Sequence, residues 1–206
     1  MAWARLMAEE LQRTLTDADF ARAAKELNVE EAAIRAVAEV EAAGAGFLSD
    51  GRPAILYEAH IFHKETGGKH AGAKDRRGVA LSSPSWNKNL YGATGAAQHA
   101  RYEDARALNP DAANKACSWG TFQILGQNHK ACGFDSSQEF VDAMWTGGAS
   151  AHLDAFVKFI KANNLDGALR KKDWATFARG YNGPGYAQNA YDKKMAAAYA
   201  RWKAKK

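Results

Sequence analysis

Apolar positions recur with a helical period along most of this chain. Ile34, Val37 and Ala38 stand at i, i+3 and i+4 and predict a helix from about Glu30 to about Gly44, with Gly44 and Gly46 as its stop. Asp17 to about Glu26 reads as an earlier helix, with Thr16 as its N-cap. Residues 94–108 and 111–117 read as further helices. Leu153, Phe156, Val157 and Ile160 mark another, and Trp174, Phe177, Ala178 and Tyr181 mark one that starts after Asp173. "NGPGY" is a sharp break, and a last helix carries Tyr191, Met195, Tyr199 and Trp202 on one stripe. Period-two alternation is confined to "GRPAILYEAHIF", where Ile55, Tyr57 and Ala59 oppose Leu56 and Glu58, with a turn to helix near His60. Residues 66–90 are rich in Gly, Lys, Ser and Asn and read as a long polar loop. The sum is an α+β class, predominantly α, with many helices and one small β-hairpin. Residues 15–206 are expected to form a single domain, and residues 1–14 an N-terminal helical extension.

One position breaks the pattern. Glu41 is i+7 from Ile34 and points within about 20° of it, on the apolar side of its helix. A carboxyl group placed there loses hydration, which raises its pKa and suits it to donate a proton near neutral pH. The alternative is a glutamate at a helix end that reaches water. Glu58, on the hairpin, is a second acid, or else a solvent-side strand residue. Cleavage of a glycosidic bond uses two such carboxyl groups flanking the bond. One protonates the leaving oxygen, while the other acts as base, nucleophile or electrostatic stabiliser. A separation of about 5 Å goes with retention, and about 6.5–9.5 Å with inversion.

Composition narrows the class. The 206 residues are 47% hydrophobic and 25% charged, as in a globular domain with a real core. No apolar run approaches the roughly 20 residues that span a bilayer. The start, "MAWARLMAEELQ", lacks the apolar region of a secretory signal. A net charge of +5, concentrated in "DKKMAAAYARWKAKK", suits a polyanionic partner. Nucleic acid is disfavoured, because no basic reading helix or base-stacking motif is present. Lys193, Lys194, Arg201, Lys203, Lys205 and Lys206 could instead give weak contact with lipopolysaccharide or anionic membrane, while the aromatic stripe beside them packs on the domain. Cys117 and Cys132 form neither a CxxC pair nor a disulfide framework and read as free thiols, with a single disulfide across the short loop as the alternative. His60, His63 and His70 lack the companions of a metal site, and no metal or cofactor is expected.

Two further stretches carry candidate substrate-binding groups. In "CSWGTFQILG", Ser118 is expected to cap a following helix, Gly120 to leave room for a substrate backbone, and Gln123 to offer an amide amid apolar neighbours. In "GYNGPGY", Tyr181 and Asn182 offer an aromatic plane and an amide to a sugar.

A helical glutamate, then "SWGTFQIL", then "GYNGPGY", resembles the lysozyme-like superfamily, including its soluble lytic transglycosylases. More closely, "VEAAGAGFL…GRPAILYEAHIF…LSSPSW…SWGTFQILGQNH…YNGPGY" resembles the N-acetylmuramidase catalytic domain of phage endolysins against Gram-negative hosts, over roughly residues 15–202. The resemblance implies a lysozyme-like fold and hydrolysis of the β-1,4 bond between N-acetylmuramic acid and N-acetylglucosamine in peptidoglycan. It aligns Glu41 with the catalytic acid, Glu58 with the second acid, and Ser118, Gln123, Tyr181 and Asn182 with cleft positions. It further implies a chain that waits in the host cytoplasm for release through a holin; a monomer is expected. Some relatives carry an N-terminal peptidoglycan-binding module, for which this chain has no room. A lytic transglycosylase and a non-catalytic glycan-binding module are the alternatives.

Overall fold

The computed structural model describes residues 12–42 and 46–205. The expected extension over residues 1–14 falls mostly outside them. Residues 12–14 are not helical, and the Gln12 carbonyl accepts from the Ala149 N–H at 2.8 Å.

Helix α1 (Asp17–Leu27) starts on a reciprocal cap in which Thr16 Oγ1 accepts from the Asp19 N–H and Asp19 accepts from the Thr16 N–H. Asn28, in the left-handed region at φ 52°, ends it. Helix α2 (Glu31–Glu41) follows. Ile34, Val37 and Ala38 are buried as the spacing predicts, but so are Ala32, Ala33 and Ala36. The apolar surface therefore wraps most of the helix. Alanine permits this, because a methyl group lets neighbouring helices approach on several sides. Helix α2 ends at Glu41, earlier than expected; Gly44 lies outside the described residues. Gly46 serves another need, since a Cβ there would lie 2.2 Å from Thr121 Oγ1.

Strand β1 (Ile55–Tyr57) leads into α3 (Ala59–Glu65), the turn to helix that the pattern predicts. After a long loop come α4 (Ala96–Leu108) and α5 (Pro110–Lys115), then strands β2 (Cys117–Trp119) and β3 (Ile124–Leu125). The sheet is antiparallel, ordered β1-β2-β3, with Leu56 opposite Ser118 and Ser118 opposite Leu125. Ser118 thus lies inside a strand and caps no helix. The reason is backbone conformation: Gly120 and Gln123 take φ of +69° and +48°, which turns the chain back on itself where a helix would need negative values.

The remainder is helical: α6 (Ser137–Thr146), α7 (Gly148–Ala162), α8 (Asp166–Lys171), α9 (Trp174–Asn182) and α10 (Tyr191–Ala204). Helices α6 and α8 are additions to the predicted set. Ser136 followed by Glu139 is the N-terminal signal for α6, and Ser136 Oγ accepts from the Glu139 N–H at 3.2 Å. Helix α10 packs along α2, burying Met195 and Ala198. Tyr199 donates to Glu30, and Trp202 Nε1 donates to Glu39 at 2.8 Å. Cys117 and Cys132 are buried free thiols. Among the described residues no helix is long and apolar enough to cross a membrane.

The long polar loop is tied to the core by a buried charge pair. Asp75 accepts from the N–H groups of Arg77 and Val79 and from Arg101 Nη1, at 2.9, 3.0 and 3.3 Å. Arg101 also donates to the Ala80 carbonyl at 2.8 Å and lies over the Tyr57 ring. Both charged side chains are at most 1% exposed. Breaking such a pair leaves a charge without compensation. Asp75→Asn is expected to lower stability by about 3–5 kcal/mol, read from urea denaturation.

Candidate active site

Glu41 is the last residue of α2, and its side chain is half-buried. Burial pushes its pKa up to about 7, against the opposing pull of Asn182, whose Nδ2 donates to Glu41 Oε1 at 2.8 Å. A helix C-terminus is the negative end of the helix dipole, so the position itself also disfavours ionisation. Two cavities meet at this carboxyl group. One, of about 300 Å³, is lined by Phe122, Asn128, Phe159, Tyr181, Asn182 and Tyr191. The other, of about 530 Å³, is lined by Leu48, Ala54, Leu56, Thr94, Gly95 and Thr121. Glu41 and Gln123 border both, which makes them one groove running past the acid. A larger cavity, about 590 Å³, holds Glu39 instead. That side chain is tied up in contacts with Arg201 and Trp202.

The hairpin forms one wall. Gln123 is exposed rather than set amid apolar neighbours. Its Oε1 accepts from Ser118 Oγ at 2.9 Å, and its Nε2 donates to the carbonyls of Gly120 and Ala54 at 2.9 and 3.1 Å. Both amide N–H groups are thus spent on closing the turn. Ser118 is buried and acts through Gln123. The space beside Gly120 belongs to His152, whose ring carbon would lie 2.6 Å from an added Cβ. That imidazole accepts from the Thr121 N–H at Nδ1, and its Nε2 faces the Met144 carbonyl, so the ring is held neutral with its proton on Nε2.

Helix α9 forms the opposite wall. The Tyr181 ring lies parallel to Phe177 and edge-on to Phe156 and Phe159, and its hydroxyl donates to the Phe122 carbonyl at 2.8 Å. Much of the plane expected to face a sugar is taken up by this packing. Asn182 spends its amide on the Glu41 carboxyl, a contact different from the direct sugar binding expected of it.

Glu58 stands elsewhere. It precedes α3 and lines a separate small cavity with Ser85, Asn87, Leu90 and Tyr91. Its side chain is 15% exposed, and His60 Nδ1 lies 3.3 Å from Oε2. Tyr91 Oη donates to both carboxylate oxygens, at 2.8 and 3.0 Å. Burial raises the Glu58 pKa, while Tyr91 and His60 pull it down. Glu58 follows two residues after Leu56, which borders the Glu41 groove. The two acids therefore flank the β1 side without sharing a cavity. Tyr91, the residue that holds Glu58, escapes sequence reasoning, since a tyrosine in a polar loop carries no periodic signal. His63 contacts Ser82 Oγ, and the His70 ring packs on Phe62. Among the described residues no group of three His, Cys, Asp or Glu could hold a metal.

A raised carboxyl pKa is also a stability statement. The folded chain binds the Glu41 proton more tightly than the unfolded chain does, so folding loses stability as pH rises from about 4.5 to about 7. Glu41→Gln keeps the shape and removes that penalty. The variant is expected to melt above the parent at pH 8, with the gain gone by pH 4, in paired thermal scans.

The geometry agrees with what the chain is similar to. A model of the N-acetylmuramidase family, Muramidase, matches residues 30–203. The crystal structure of Burkholderia AP3 phage endolysin aligns with a TM-score of 0.83 and 44% identity, over 98% of this chain and 75% of that one. No curated protein matches. The fold is lysozyme-like, the reaction is glycoside hydrolysis of peptidoglycan, and the chain belongs to the N-acetylmuramidase family.

Proposed function

We propose that this chain acts as a phage endolysin whose groove threads a peptidoglycan strand past Glu41, which protonates the glycosidic oxygen between N-acetylmuramic acid and N-acetylglucosamine. The observation that carries the reading is the half-buried carboxyl at the junction of two cavities, with a pKa of about 7. Such a group still carries its proton in a large share of molecules near neutral pH and releases it once the leaving oxygen gains charge. Asn182 orients it. Glu58 supplies negative charge on the β1 side as the sugar becomes oxocarbenium-like. Because Tyr91 occupies both its oxygens, electrostatic stabilisation suits it better than direct attack. Ser118, Gly120 and Gln123 hold the hairpin wall, and Tyr181 the α9 wall. Residues 15–206 work as one catalytic unit and as a monomer, released to the cell wall through a holin. The exposed Lys193 and Lys194 add weak attraction to lipopolysaccharide. Lys203 and Arg201 contribute less, being paired with Glu30 and Glu39.

Product analysis of digested peptidoglycan tests the reaction. Hydrolysis gives reducing ends heavier by one water than the anhydro ends that a transglycosylase leaves. Glu41→Gln is expected to lower turnover by at least about 10³-fold while the protein stays folded. Retained activity would remove Glu41 from its role. Activity should fall as pH rises beyond about 7, where Glu41 ionises. Asn182→Leu removes a donor that favours the ionised form, so the Glu41 pKa rises. The alkaline limb of the rate profile is then expected to move to higher pH.

A further inference from the structure

Trp86 is 58% exposed, although large apolar side chains usually find cover. It is nonetheless anchored. Its Nε1 donates to Tyr91 Oη at 2.8 Å, and the two rings meet edge-on at 6.4 Å between centroids. Tyr91 is fixed in turn from the core. Gln98, fully buried, donates to the Tyr91 and Ala93 carbonyls at 2.6 and 2.8 Å. The same amide accepts from the Tyr57 N–H at 3.0 Å, one residue before Glu58. A single buried side chain thus sets the end of β1 and the backbone of the tyrosine. The tyrosine hydroxyl then ties the Glu58 carboxylate to an indole standing in water.

The indole is held by its edge, which leaves a ring face open. Its sequence neighbours Ser85, Asn87 and Lys88 are exposed and polar, and among the described residues the only other exposed large apolar side chain is the distant-in-sequence Leu108. A protein-docking site of ordinary kind would be apolar over a wider area. A lone rigid aromatic face ringed by hydroxyl and amide groups fits a pyranose instead: the axial C–H face of a β-linked sugar lies flat on the ring while its hydroxyl and acetamido groups reach outward.

We propose that Trp86 is a sugar-stacking residue that takes one N-acetylhexosamine ring of the glycan strand beside the Glu58 cavity, beyond the β1 side of the groove, and that Tyr91 is the positioning residue joining this subsite to Glu58. The proposal rests on reading the groove as a muramidase site. Trp86 itself touches no reacting atom, so at a pH above the acid limb, where Glu58 is ionised, its loss acts on binding.

The test compares Trp86→Ala, Trp86→Phe and Glu41→Gln on purified peptidoglycan, separating KM from kcat. Trp86→Ala is expected to raise KM about tenfold and leave kcat within about twofold, as loss of uniform binding requires. Trp86→Phe keeps the ring and should stay within about threefold of the parent KM. It loses the N–H that makes Tyr91 a stronger donor, so Glu58 is harder to ionise and the acid limb of the rate profile moves to higher pH. An unchanged KM in Trp86→Ala overturns the subsite, and an acid limb that does not move in Trp86→Phe overturns the link through Tyr91. Activity surviving in Glu41→Gln would strike the catalytic reading and leave the KM comparison standing as evidence on Trp86. Because Trp86 is on the surface, the variants should fold, and circular dichroism checks this.

Discussion

The groove depends on keeping one carboxyl group short of water. Glu41 ends a helix buried on almost every side, and Asn182 is its hydrogen-bond partner among the described residues. A carboxylate in that position is costly, and the cost falls on the ionised form alone. The folded chain therefore gives up stability to keep an acid protonated. The rest of the architecture maintains that condition: α10 covers α2, α9 delivers the amide, and the hairpin closes the far side with a turn whose own amide groups are satisfied internally.

The second acid shows a different solution. Glu58 is also partly buried, yet a tyrosine hydroxyl and an imidazole face it. Both favour its charged form. Burial raises the pKa of both glutamates, but two groups oppose that rise at Glu58 and one at Glu41, so their surroundings distinguish them. Local environment makes the assignment, because the side chains are chemically identical.

What the sequence disclosed follows the range of the interactions involved. The helical stripe through Ile34, Val37 and Ala38 exposes Glu41 as a polar residue on an apolar face, since i+7 spacing is local. The strand and its turn into α3 are equally local. The hairpin at Ser118 is harder to read. Its strands are two or three residues long, and its turn relies on Gln123 adopting positive φ, which no propensity favours. Gly120 reads in the sequence as room for a substrate backbone, but the neighbour that fills that space, His152, lies far along the chain. The Tyr91–Glu58 contact and the Arg101–Asp75 pair are likewise products of tertiary packing. In each case the residue type hinted at a role, and only the fold supplied the partner.

The bond from Asn182 to Glu41 joins residues 141 positions apart. Helix α10, which seals the acid's helix, lies further along still. A nascent chain on the ribosome has made Glu41 long before it has made either of these. The carboxyl cannot acquire its surroundings until the late helices have emerged and docked, so a chain interrupted before α9 leaves Glu41 without its amide partner and its helix without its cover.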